Sequence, residues 1–119
     1  MPEELPKRVL LVEDDPFIAM DLQESLISAG YDVVGPVGTV IEALALIKTE
    51  HLNGAVLDVN LDGEYSAPVA QALTDLKVPF IATTGYALTT LPMEFVHGDA
   101  IQKPYMSEIL IGKLSKLLV

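Results

Sequence analysis

At 119 residues, half of them hydrophobic, the chain can bury one sizeable core, and it is expected to form a single domain over 1–119 with 1–6 as a loose N-terminal tail. Acidic residues outnumber basic ones 17 to 7, and the resulting charge of −10 argues against nucleic acid and anionic membrane as direct partners, since both need clustered Lys and Arg. Without cysteine there is no disulfide framework or thiolate chemistry, no stretch is apolar enough for long enough to span a bilayer, and the acidic start is unlike a secretory signal; a cytoplasmic location is expected.

Arg8-Val9-Leu10-Leu11-Val12 is a short apolar, β-branched run that predicts a first strand ending at Glu13-Asp14-Asp15. Pro16 suits a first helical turn behind Asp15, which is better placed to cap that helix than to serve chemistry. Ile18, Leu22, Leu26 and Ala29 follow at helical spacing until Gly30. Asp32-Val33-Val34-Gly35 predicts strand two, with Gly35-Pro36 and Gly38 as a turn. Thr39 is placed to cap a second helix buried through Val40, Ala43, Leu44 and Ile47. Ala55-Val56-Leu57-Asp58-Val59-Asn60 is strand three, an apolar run that breaks off at a carboxylate. An unpaired charge in the middle of a buried strand is costly, so Asp58 is expected at the strand's C-terminal end, facing a crevice.

Residues 67–76 predict a third helix with Val69, Ala70 and Leu73 inward. Strand four runs from Val78 to Thr84, Pro79 being tolerable at its start. The segment 87–98 is the poorest helix of the chain, because Thr89, Thr90 and Pro92 oppose a regular one, and a short or mobile helix is expected there. Ala100-Ile101-Gln102 is a short fifth strand before Lys103-Pro104. A last helix follows, with Ser107 as its cap, Glu108 in its first turn, and Leu110, Leu114 and Leu117 on one face.

Strand and helix alternating five times predict an α/β, three-layer, doubly wound parallel sheet. In such sheets the functional crevice lies beyond the carboxyl ends of the strands. Those ends carry Glu13, Asp14, Asp58, Thr84 and Lys103. The three carboxylates count −3, Lys103 brings the cluster to −2, and a divalent cation would restore neutrality; all-oxygen ligands point to Mg2+ over zinc or copper. A carboxylate nucleophile, a magnesium ion, an ammonium and a hydroxyl together suit phosphoryl transfer. Asp58 would attack phosphorus, Lys103 and the metal would neutralise equatorial oxygens, and Thr84 would donate a hydrogen bond. His51 and His97 have no second ligand at useful spacing and are expected to be solvated.

The run Val12-Glu13-Asp14-Asp15, then Leu57-Asp58-Val59-Asn60, Thr83-Thr84-Gly85 and Lys103-Pro104 resembles, in order and spacing, the receiver domain of bacterial response regulators. The resemblance implies that Asp58 takes a phosphoryl group from a histidine kinase or histidine phosphotransfer protein. It also implies that Asp14, Asp58 and the backbone carbonyl of Asn60 hold Mg2+, with Glu13 acting through water. The fold it implies is a flavodoxin-like sheet of order 2-1-3-4-5, with a cis Lys103–Pro104 bond. Such a domain catalyses only its own phosphorylation and dephosphorylation, and either meets a downstream protein through its fourth helix, fifth strand and fifth helix or serves as a phosphate shuttle.

The run 80–86 partly resembles a single-domain group marked by Phe-Ala-Thr-Gly-Tyr, with Ala82 and Thr83 where that group shows Phe and Ala. The position of the usual aromatic switch residue aligns with Ala100, and Tyr86 is expected to substitute for it, acting with Thr84. Two other functions fit parts of the pattern. Residues 58–63 faintly resemble the motif of a magnesium phosphohydrolase with an Asp nucleophile, although Asn60 stands where its second Asp belongs. A flavin carrier would share the fold, but the acidic loop after strand one would repel the cofactor phosphate.

Overall fold

A computed structural model describes residues 5–85 and 91–119. Strands β1 (Arg8–Val12), β2 (Asp32–Val37), β3 (Gly54–Asp58), β6 (Phe80–Thr84) and β7 (Asp99–Gln102) form one parallel sheet in the order β2-β1-β3-β6-β7. Two further strands, β4 (Asn60–Leu61) and β5 (Glu64–Tyr65), make a separate antiparallel hairpin. Setting that hairpin aside, the sheet has the expected flavodoxin-like order 2-1-3-4-5.

The apolar runs are continuous because these strands are covered on both faces. Alternate residues go to opposite sides. Leu10, Val12, Leu57, Phe80 and Ala82 pack with α2 (Val40–Thr49) and α3 (Ala67–Asp75). Val9, Leu11, Val56, Ile81 and Ile101 pack with α1 (Pro16–Ser28) and α4 (Ser107–Leu117). The result is the predicted three layers. The Asp15 carboxylate accepts from the N–H groups of Phe17 and Ile18 at 2.9 and 3.3 Å, so its capping role holds. Thr39 caps α2 through the N–H of Glu42 at 3.2 Å.

Four local expectations need correction. Strand two does not stop at Gly35 but runs to Val37, shifting register between Leu10 and Val12 of β1. An edge strand tolerates Pro36, and Gly35 takes φ +98° where a Cβ would lie 2.9 Å from the Leu11 carbonyl oxygen, so only glycine fits. Ser107 does not cap α4: Met106 holds the cap position, and the Ser107 hydroxyl meets Asp21 at 3.2 Å. Ala29 and Leu117 lie at helix ends and are exposed, and Leu118 is buried in place of Leu117. Finally, the described part of 87–98 contains no α-helix, only a single 3-10 turn over Met93–Phe95. The Lys103–Pro104 peptide is cis, as the resemblance implied, and so is Gly35–Pro36.

Candidate functional site

Period-two alternation carried past the ends of the apolar runs decides which side chains meet. Two residues beyond Leu11 is Glu13, two beyond Val56 is Asp58 and two beyond Ile81 is Thr83, so all three take the α1/α4 face of the sheet. Adjacent strands bring them side by side, with Asp58 in register with Thr83. Glu13, Asp14 and Asp58 each present a carboxylate oxygen within 4.8 Å of the others, with Glu13 and Asp58 buried and Asp14 exposed. The strand ends do converge.

Lys103 arrives from β7. Its backbone N–H donates to the Thr84 carbonyl at 2.7 Å, extending the β6–β7 ladder by one rung. From there its ammonium reaches Asp58 Oδ2 at 2.8 Å. The other carboxylate oxygen, Oδ1, accepts the N–H of Asn60 at 3.2 Å. Thr84 is buried at the end of β6. Asn60 opens the hairpin, and its side-chain oxygen accepts from Gly63 N–H at 2.7 Å. Asp62 and Gly63 both have positive φ, the conformation that a two-residue Asp-Gly hairpin demands. Tyr86 lies outside the described residues.

Burial of carboxylates has a cost that is visible here. Removal from water pushes the Glu13 carboxyl up to about 7; the Asp15 N–H, 3.1 Å from Oε2, opposes this, while the charges of Asp58 and Asp14 add to it. Burial alone would lower the Lys103 ammonium, but the hydrogen bond and charge of Asp58, backed by Glu13 and Asp14, hold it above its ordinary value. The count of −3 for the carboxylates therefore overstates the charge of the metal-free site near neutral pH, where the Glu13 carboxyl is only partly ionised. Glu13 Oε1 is buried with no hydrogen-bond partner among the described residues. Such an orphaned acceptor beside two further carboxylates is what an oxygen-coordinated divalent cation, or a water bound to one, would satisfy. The donor set fits magnesium.

Three neighbours were not anticipated from sequence. Tyr105 stands close enough to the cluster that burial, then Glu13 and Asp58, push its phenol up to about 12. With Phe17, Ile18 and Lys103 it lines a groove of about 400 Å³ beside the acids. Its only signal in the sequence was an aromatic directly after Lys103-Pro104. Ser66, fully buried, hydrogen-bonds the main chain of Asp58, although by its position it reads as an ordinary helix cap. Thr83 Oγ1 is buried without a partner among the described residues, and its signal was a hydroxyl one residue before Thr84.

No family model matches the chain. Among solved structures it resembles SdrG from Sphingomonas melonis Fr1, at 37% identity and TM-score 0.81, over 98% of this chain and all of that one. It also resembles a CheY-like response regulator receiver domain protein from Methanospirillum hungatei JF-1, at 30% identity and TM-score 0.85, over 95% and 94% of the two chains. The response regulator TrrA from Thermotoga maritima, solved in complex with Mg2+–BeF, is 26% identical with TM-score 0.82, over 94% and 99%. Among curated relatives, the regulator PhyR of Methylorubrum extorquens is 29% identical over 124 residues, covering 97% of this chain and 45% of its own length. The chain thus spans about half, or less, of the length of the curated relatives it matches.

Proposed function

The chain belongs to the response regulator receiver (CheY-like) family of two-component signalling, and from that premise we propose that Asp58 is its phosphoryl acceptor. The observation that carries this reading is the surroundings of one buried carboxylate. Asp58 is held by Lys103 at 2.8 Å and shares a 4.8 Å cluster with Glu13 and Asp14, at the carboxyl ends of the strands. The donor would be a phosphohistidine of a histidine kinase or histidine phosphotransfer protein. An oxygen of Asp58 forms a bond to phosphorus as the phosphorus–nitrogen bond breaks, and the electron pair leaves with the imidazole, which takes up a proton.

Asp14, Asp58 and the backbone carbonyl of Asn60 would hold Mg2+, with Glu13 bound through a water that also satisfies its orphaned oxygen. When bound, the ion supplies positive charge for the oxygens of the transferring group. Lys103 gives up part of its contact with Asp58 to pair with a phosphoryl oxygen, and Thr84 donates to another. Hydrogen bonds to charged groups are worth about 1.5–3 kcal/mol each; the Thr84 bond is gained outright while Lys103 exchanges one partner for another, so the net shift falls below the about 5.5 kcal/mol that inverts a 1:99 population. The chemistry stops at self-phosphorylation and self-dephosphorylation. Output would pass in the cytoplasm to a protein partner meeting the side formed by β7, α4 and the segment before β7, with Tyr86 as the switch in place of a ring at position 100.

The phosphohydrolase alternative loses its second acid. Asn60 carries an amide, and its oxygen already accepts from Gly63. Intact-mass measurement after incubation with phosphoramidate tests the reading. Wild type with magnesium is expected to gain one phosphoryl group, while Asp58→Asn and the magnesium-free sample gain none. Label persisting on Asp58→Asn overturns the assignment.

A further inference from the structure

Ser66 stands immediately before α3, where a serine hydroxyl ordinarily accepts from the N–H of the second or third helical residue. It makes no such bond. The second helical residue is Pro68, which has no N–H, and the N–H of the third, Val69, goes to the Ser66 carbonyl at 2.9 Å. The donors that a capping hydroxyl would serve are therefore gone. The hydroxyl turns back and donates to the carbonyl oxygen of Asp58 at 2.6 Å, with that of Val59 at 3.1 Å, in a fully buried position.

The two peptide units that follow Asp58 are each held at both ends. In the first, the Val59 N–H donates to the Thr83 carbonyl at 3.0 Å, and the Asp58 carbonyl accepts the Ser66 hydroxyl. In the second, the Asn60 N–H donates to Asp58 Oδ1 at 3.2 Å, and the Val59 carbonyl accepts the Ser66 N–H at 2.9 Å. Ser66 supplies one hold on each unit, reaching them across the hairpin that pairs Asn60 with Tyr65. A hydroxyl has one proton, and the shorter contact is the one that takes it.

We propose that Ser66 is a positioning residue for the phosphoryl-acceptor site. It orients the Asp58 carboxylate and the Asn60 carbonyl through the main chain, without touching cation or phosphoryl group. This deepens the reading of Asp58 as acceptor and rests on it. Misplacement of a reacting group by a fraction of its contact distance is costly in rate, and losing one hydrogen bond of this kind corresponds to about fivefold in an equilibrium or rate.

The test compares wild type, Ser66→Ala and Ser66→Thr in two measurements: magnesium chloride titrated by calorimetry, and the rate of labelling by phosphoramidate at saturating magnesium. In Ser66→Ala the Mg2+ Kd is expected to rise about fivefold and the labelling rate to fall about fivefold, with Ser66→Thr close to wild type. A hydroxyl that only stabilised the fold would lower the melting temperature and leave both readings within twofold of wild type, and that result overturns the proposal. If Ser66→Ala fails to fold, Ser66→Cys takes its place, a weak donor of similar shape, and unchanged readings there overturn it equally. Wild type that takes no label defeats the acceptor reading itself, whereas labelled wild type beside an unaffected Ser66→Ala defeats only this proposal.

Discussion

The energetics of Glu13 depend on what fills the site, because its buried Oε1 has no hydrogen-bond partner among the described residues. Its folded carboxyl holds a proton up to about pH 7, whereas in the unfolded chain it ionises near 4.5. Between those values the folded state binds more protons than the unfolded state, so stability falls as pH rises through the window. Below about 4.5 both states are protonated, and the term vanishes. Urea unfolding of the metal-free protein at pH 5 and at pH 8 should show a larger loss for wild type than for Glu13→Gln, in which nothing titrates. Equal losses would mean that the carboxyl is not desolvated. At Asp58 the contrast is one of partners rather than of burial. Its two oxygens accept from Lys103 and from the Asn60 N–H, so Asp58→Asn removes the nucleophile and also sets its amide NH2 against one of those two donors.

At the scale of elements, two glycines make opposite predictions. Gly98 sits where a Cβ would lie 2.2 Å from the Phe80 ring, which is itself buried and packed edge-on against Phe95 with centroids 6.5 Å apart. Gly98→Ala should cost about 1–3 kcal/mol in denaturant unfolding, because the ring has nowhere to move. Gly112 lies within α4 with open space around its Cα, so Gly112→Ala should gain about 0.5–1 kcal/mol. A gain at Gly98, or a loss at Gly112, would contradict this packing.

The elements also differ in how legible they were. The apolar runs of β1, β3 and β6 and the stripes Leu22–Leu26, Ala43–Ile47 and Val69–Leu73 announce themselves, because burial demands a period that a sequence displays. Strand two was cut short because Gly35-Pro36 is a turn by local rule, and only its place at a sheet edge reverses that. Ser107 reads as a helix cap and Ser66 stands just as directly before α3, yet both hydroxyls go elsewhere, to Asp21 and to Asp58. Cap chemistry is local, whereas the competing acceptor comes from a distant part of the chain.

At the scale of the molecule, the charge of −10 and the carboxylate cluster make two separable responses to magnesium. General screening is shared by any salt, whereas site binding stabilises only the folded state, by about 2.7 kcal/mol at a hundredfold excess over Kd. Melting temperature measured against magnesium chloride, with sodium chloride at equal ionic strength as the reference, should rise for wild type and rise much less for Asp58→Asn. Equal responses in the two salts would place the effect on the surface rather than in the crevice. No helix among the described residues is long and apolar enough to cross a membrane.

By itself the sequence determined the alternation of elements, the sheet order through its likeness to receivers, and the set of strand ends bearing Glu13, Asp14, Asp58, Thr84 and Lys103. Burial, periodicity and chain order are all written along one dimension. Only the tertiary structure decided that Glu13 Oε1 is left without a partner among the described residues, that burial lifts the Glu13 carboxyl to about 7, that Tyr105 borders the site, and that the Ser66 hydroxyl hydrogen-bonds the main chain of Asp58. Those are properties of neighbours brought together across the sheet and the hairpin. Desolvation and hydrogen-bond competition depend on who those neighbours are.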